Sequence, residues 1–251
     1  MINLNLWKLT LPIGKKGKPT EIGPKQLADY SSEWFYWLAD ALVMVCGVGG
    51  VTTGNTKYNR TELRELNADG TLAAWATNQG QHDMVFDVTV EQMPGGSKPE
   101  CVIGQIHGGG DDVTTFRFIA KSVGVGSIWI SDGDKSRAYL VTDAYPLGQR
   151  IRLGFHVAEG VIRYSVDGKF VPFSLAAVDK DCYFKVGLYP QTLEALVNGV
   201  PNGARLQLFG VTVKHDDGAA LPPTDLAAEV AVLRAEVKAI QGKLAALKGV
   251  L

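Results

Sequence analysis

The sequence predicts an all-β domain, a sandwich or a barrel, over residues 1–218, with a linker and one helix after it. Three observations predict this. Short runs alternate apolar and polar residues, the period-two mark of a half-buried strand. Gly, Asn, Asp and Pro separate the runs, and the 251-residue chain holds 29 glycines, which suits frequent turns. No long helical pattern interrupts the runs, so many strands follow one another closely.

Taken in order, residues 26–41 read as a short helix or turn before the clearest strands begin. Met84-Val85-Phe86-Asp87-Val88-Thr89-Val90, Thr115-Phe116-Arg117-Phe118-Ile119-Ala120 and Ser127-Ile128-Trp129-Ile130 each alternate cleanly. The runs 150–157 and 161–166 do the same, and the second leads into Asp167-Gly168, a strong hairpin turn. The composition changes near Asp216. Residues 219–225, with Pro222-Pro223, read as a linker. Beyond it Leu226, Leu233, Ile240 and Leu247 recur every seven residues, and so do Val230, Val237, Leu244 and Leu251, offset by four. Two such registers over 226–251 predict a coiled-coil-like helix and favour a homo-oligomer formed through it over the alternative, an amphipathic helix docked on its own domain.

Bulk properties exclude several function classes. Apolar residues make up 46% and charged residues 20% of the chain, ordinary values for a folded domain, and the net charge is −1. A nucleic-acid binder would carry a basic surplus, so no nucleic-acid partner is expected. A local cationic groove for a polyanion is still allowed. Cys46, Cys101 and Cys182 form no C-x-x-C pair and no even set, so no zinc ribbon or redox motif is expected and the thiols read as buried, with one disulfide plus a free thiol as the alternative; no cofactor is expected. No run approaches the roughly 20 apolar residues that span a bilayer. Met1–Leu11 lacks a basic start followed by an apolar run, so no secretory signal is expected within the chain.

Three strands carry unusual polar faces. In Asn59-Arg60-Thr61-Glu62-Leu63-Arg64-Glu65-Leu66, alternation puts Arg60, Glu62 and Arg64 on one face and Thr61, Leu63 and Glu65 on the other. In Gly104-Gln105-Ile106-His107, Gln105 and His107 share a face before a Gly108-Gly109-Gly110 run. In Tyr183-Phe184-Lys185-Val186-Gly187-Leu188-Tyr189-Pro190-Gln191, Tyr183, Lys185, Tyr189 and Gln191 oppose Phe184, Val186 and Leu188. Each strand alone has a bland reading: an exposed salt-bridged strand, a surface histidine, a strand with one wet face. If the three share a sheet, their outer faces pool into a cationic, aromatic groove. Arg forks match carboxylates and Tyr faces stack on sugar rings, which suits a linear anionic polysaccharide.

These segments resemble the three signature motifs of alginate lyases of polysaccharide lyase family 7: Arg60-Thr61-Glu62-Leu63-Arg64, Gln105-Ile106-His107 and Tyr183 to Gln191. The opening Trp7-Lys8-Leu9-Thr10-Leu11-Pro12 is similar to that family's first strand. The resemblance covers roughly residues 4–215 and not the heptad segment. It implies a jelly-roll β-sandwich of two antiparallel sheets with the groove on the concave sheet. It also implies metal-independent cleavage of 1,4-linked uronates by β-elimination, leaving an unsaturated uronate at the non-reducing end. By motif, His107 would be the general base and Tyr189 the general acid. Gln105 and one of Arg60 or Arg64 would neutralise the substrate carboxylate. Lys185 would help bind, and Tyr183, Gln191 and Glu62 complete the expected substrate-binding set. Pro190 departs from the family, which often has Asn there. The Gln-Ile-His form of the second motif is associated in the family with guluronate-containing blocks. An enzyme of this kind would act on extracellular or periplasmic polysaccharide.

The chemistry calls for such groups. The C5 proton of a uronate is weakly acidic because the neighbouring carboxylate resists a second negative charge. Donors on that carboxylate stabilise the enolate-like state, a neutral His takes the proton, and a Tyr gives one to the departing O4. For some epimers Tyr189 could serve as both base and acid, with His107 neutralising. Three other readings compete: a non-catalytic carbohydrate-binding module, a lyase for another polyuronate such as glucuronan, and a glycoside hydrolase with paired carboxylates. The Gln-x-His and Lys-x-x-x-Tyr sets argue against the first. Glu62 as the sole groove-facing acid of the motif strands argues against the last. Residues 108–112 and 194–202 are expected to line the groove.

Overall fold

The computed structural model describes residues 2–54, 56–133 and 135–216. The predicted linker 219–225 and heptad helix 226–251 lie outside the described residues. Among those described, two antiparallel sheets account for nearly all of the regular structure. The first has eight strands, in spatial order Lys135–Pro146, Val125–Asp132, Asp112–Ser122, Glu100–His107, Tyr183–Pro190, Thr61–Glu65, Trp7–Lys15 and Lys18–Ile22. The second has seven: Lys169–Ala176, Val161–Val166, Arg150–Ala158, Gln81–Gln92, Gly203–Asp216, Ala41–Gly47 and Phe35–Leu38. Of the sandwich and the barrel that the alternation left open, this is the sandwich that the resemblance implied.

Apolar faces meet between the sheets and exclude water, the dominant favourable term in folding. Phe116 and Phe184 of the first sheet lie against Phe155 of the second, with ring centroids 4.7 and 6.4 Å away. Trp7, Leu9, Leu63, Ile106, Val186 and Leu188 are buried with them. Two glycines permit this closeness. A Cβ on Gly104 would sit 2.6 Å from the Phe86 ring, and one on Gly187 would sit 2.5 Å from the Thr61 carbonyl oxygen. Gly187 also has φ +146°, a conformation that side chains rarely adopt.

The Asp167-Gly168 hairpin is as predicted, with both residues at positive φ (50° and 78°). All three cysteines are buried free thiols. Residues 26–41 include the expected short helix and turns, and also a strand. The helix is one turn, Pro24–Leu27, and Phe35–Leu38 already pairs with Ala41–Gly47 at the sheet edge. The residues 194–202 do not line the groove cavity. They fold as a hairpin, Leu196–Val197 with Val200–Pro201, and Asn202 and Glu194 tie it to the 95–97 loop.

Candidate active site

The three motif strands are immediate neighbours, in the order Glu100–His107, Tyr183–Pro190, Thr61–Glu65, and the Trp7 strand lies next to the last. Their register aligns the polar residues in rows across the sheet. Lys185 is the partner of both Arg64 and Gln105, and Arg64 is also the partner of Lys8. One turn of the pleat away, Tyr183 pairs with His107, and His107 with Asp112. The rows face a cavity of about 520 Å³, whose lining includes Arg60, Arg64, His107, Asp112, Tyr183, Lys185, Tyr189 and Gln191. Lys8, Thr10, Thr56, Tyr58 and Gly109–Asp111 complete much of its wall.

Seven of the nine residues expected at the site therefore line one cavity. Glu62 and Gln105 do not; they are buried beneath it, 1% and 0% exposed. There Glu62 acts as the hub of the floor. One carboxylate oxygen accepts from Arg60 at 3.0 Å and from Lys185 at 2.5 Å. The other accepts from the Gln105 amide. Burial alone would raise the Glu62 carboxyl, but Lys185, then Arg60, and the hydrogen bonds to it outweigh burial and hold it below the usual carboxylate range. Lys185 is pushed down to about 8, chiefly by burial and partly by Arg60, against the pull of Glu62. Two buried polar atoms here, Arg60 Nε and Gln105 Oε1, have no partner among the described residues.

The Gly108 carbonyl sets the His107 tautomer. Its Nδ1 lies 2.6 Å from the Gly108 carbonyl oxygen, which can only accept, so Nδ1 carries the proton and the neutral ring has its lone pair on Nε2. The imidazole stacks on Tyr183 (centroids 5.1 Å, planes 14° apart), and the Arg64 guanidinium lies 3.8 Å over the other residue's ring, Tyr183. Asp112, expected from the sequence only as part of the groove-lining stretch 108–112, has its Oδ1 3.9 Å from Nε2. Burial raises the Asp112 carboxyl, with His107 and Lys185 opposing. The signal for it was slight: an acid shortly after a glycine run that follows His107.

Tyr189 is gripped from another part of the chain. Its hydroxyl is 2.5 Å from Thr56 Oγ1, the Arg60 guanidinium lies 3.9 Å over its ring, and Tyr58 meets it edge-on. Burial raises its phenol, and Arg60 and Thr56 partly offset this, so it is protonated at neutral pH. Pro190 does not break the strand at this point. It still pairs with Cys101, and the next amide, Gln191 N–H, donates to the Glu100 carbonyl at 2.8 Å.

Behind the groove, Glu65 points away from it, as alternation requires, and is 2% exposed. It accepts from the Phe184 amide at 2.8 Å and the Trp75 indole at 3.2 Å, and pairs with His215 at 2.5 Å. His215 in turn contacts His82, ring nitrogen to ring nitrogen, at 2.7 Å. This chain joins the motif strand to the second sheet.

Comparison with known proteins agrees with the geometry. The alginate lyase family model matches residues 2–215. Among solved structures, an alginate lyase from Corynebacterium sp. is 34% identical, covering 86% of this chain and 96% of that one, with a TM-score of 0.77. Alginate lyase AlgAT5 from polysaccharide lyase family 7 is 30% identical over the same shares, also at 0.77. A family 7 alginate lyase in complex with product (GGG) is 26% identical, covering 86% of this chain and 97% of that one, at 0.70. No curated protein matches the chain.

Proposed function

Because the chain belongs to the alginate lyases of polysaccharide lyase family 7, we propose that it binds alginate in the 520 Å³ cavity and cleaves it by β-elimination. The observation that carries the residue roles is the His107 tautomer: the Nδ1 contact with Gly108 leaves Nε2 free to accept the C5 proton. Tyr189, protonated at neutral pH, gives its proton to O4 as the C4–O4 bond breaks. The C4–C5 double bond that forms marks the new non-reducing end.

Of the two arginines we favour Arg60 as the one that neutralises the substrate carboxylate. It shares Glu62 with Gln105, stands over Tyr189, and has an Nε without a partner among the described residues. Gln105 would join it by turning its amide away from Glu62. Lys8, Arg64 and Lys185 supply further positive charge for the polymer, and Tyr183 and Tyr58 offer rings to its sugars. The Gln105-Ile106-His107 motif supports a preference for guluronate-containing blocks. The heptads of 226–251 support association of chains, which would raise avidity for a long polymer; sedimentation of the full chain and of one ending at residue 218 tests that.

The test of the activity is ultraviolet absorbance during incubation with alginate, poly-guluronate, poly-mannuronate and glucuronan. The unsaturated product signal should grow on alginate, fastest on guluronate-rich polymer, and fall by a factor of about 10² or more in His107→Ala and Tyr189→Phe. Retained activity in either variant would remove that residue's role. A larger rate on glucuronan would move the substrate to another polyuronate.

A further inference from the structure

The grip on Tyr189 comes from alternate residues of one segment. Thr56, Tyr58 and Arg60 are spaced by two, and all three contact the same phenol: Thr56 at its oxygen, Tyr58 at its edge, Arg60 over its face. Only Arg60 belongs to the recognised motif. Thr56 is 133 positions from Tyr189 in sequence, yet it is the hydroxyl's one hydrogen-bond partner among the described residues.

The hydrogen-bond inventory fixes what Thr56 can do. A threonine hydroxyl has one proton and two lone pairs. The Tyr58 amide donates to Thr56 Oγ1 at 3.2 Å, which occupies one lone pair and anchors the side chain. The contact with Tyr189 at 2.5 Å uses either the remaining lone pair or the proton. If Thr56 donates, the phenol's own proton is free to point into the cavity. Once that proton has gone to O4, the phenolate can only accept, so Thr56 must be the donor. Arg60 over the ring adds charge stabilisation to the same anion.

We propose that Thr56 is a positioning residue for Tyr189, turning the phenol proton toward the sugar and donating to the phenolate oxygen when that proton has left. This rests on the reading of Tyr189 as the acid. The step balances. C5 loses its proton to His107 Nε2, the C4–O4 pair leaves with O4, and O4 takes the Tyr189 proton. Solvent then carries a proton from His107 back to Tyr189. Thr56 gains and loses none.

Four variants test this on the full-length chain: Thr56→Val, Thr56→Ser, Tyr189→Phe and the Thr56→Val/Tyr189→Phe double. Thr56→Val keeps the shape and loses the hydroxyl. It should lower kcat about five- to tenfold, the worth of one hydrogen bond, with KM changed less than about twofold and a melting temperature lowered by only a few degrees, since the Tyr58 amide also loses its acceptor. Thr56→Ser should restore kcat. Placed on Tyr189→Phe, Thr56→Val should cost nothing more, because its partner hydroxyl is already gone. Wild-type kcat in Thr56→Val beside an impaired Tyr189→Phe would sink the inference alone. So would a loss that Ser fails to rescue or that multiplies in full onto Tyr189→Phe. Full turnover by Tyr189→Phe would remove the acid assignment, and the inference with it.

Discussion

Replacing Glu62 with Gln removes one negative charge from a floor that holds two cations. In Glu62→Gln the side chain keeps its length, but its amide oxygen can serve only part of the donor set of Arg60, Lys185 and Gln105, and its NH₂ turns toward one of them. The two cations respond differently. Lys185 already sits at about 8, so at pH 7 shedding its proton caps its added cost at about 1.4 kcal/mol, the value of one pH unit. Arg60 cannot shed its proton. With 13% of its side chain exposed, it loses a charge-assisted hydrogen bond worth roughly 1.5–3 kcal/mol. The sum, about 3–4 kcal/mol, falls within the roughly 3–5 kcal/mol expected for breaking a buried pair from one side. In a domain of this size that lowers the melting temperature by about 6–16 °C. Urea denaturation and a thermal scan measure it, and a loss below about 1 kcal/mol would refute the hub. The same variant tests the expected binding role of Glu62. If Glu62 is a countercharge beneath the cavity, Glu62→Gln should raise KM for alginate no more than Lys185→Met does, since both leave the groove without the Lys185 charge; a larger rise would mean that Glu62 itself contacts the sugar.

Three further outcomes follow from the same geometry. Because Lys185 loses its charge above about pH 8, KM for a polyanion should climb between pH 8 and 9.5, and a flat KM would mean that Lys185 does not meet the substrate. The unfolded chain holds the Lys185 proton up to about 10.4, so this group's cost to stability is full below about 8 and is relieved as pH rises toward 10. Burial first, with the His215 charge adding to it against the Gln79 carbonyl, depresses the pKa of His82; the unfolded state then binds more protons just below about 6.5, and stability should fall as pH drops through that value. A denaturation series from pH 7.5 to 5 should show a smaller slope in His82→Gln than in the wild type. Gly187→Ala places a Cβ 2.5 Å from the Thr61 carbonyl and should cost about 1–3 kcal/mol. It should also depress kcat by shifting Tyr189, two residues on; a wild-type melting temperature would show that the strand gives way freely.

Much of the site was legible because strand alternation is a local rule. It put Arg60, Glu62 and Arg64 together, paired Gln105 with His107, set Lys185 and Tyr189 opposite Phe184 and Leu188, and sent Glu65 to the far side. The Asp167-Gly168 turn was local in the same way. Within 26–41 the helix and turns were legible, but the strand Phe35–Leu38 was not, because a short edge strand has too few residues to show a period. The segment 194–202 was expected at the groove but packs on the 95–97 loop, a contact that local sequence does not encode.

The sequence by itself determined which side chains share a face, since the Cβ direction alternates along any strand whatever lies beside it. Tertiary structure alone decided which faces meet and in what register. That Lys185 lies between Arg64 and Gln105, that Glu62 and Gln105 meet beneath the cavity and that Thr56 reaches Tyr189 all depend on segments far apart in the chain. Their register is set by how Phe116, Phe155 and Phe184 pack between the sheets and by the close approaches at Gly104 and Gly187. A shift of one residue would have sent every polar group to the opposite face.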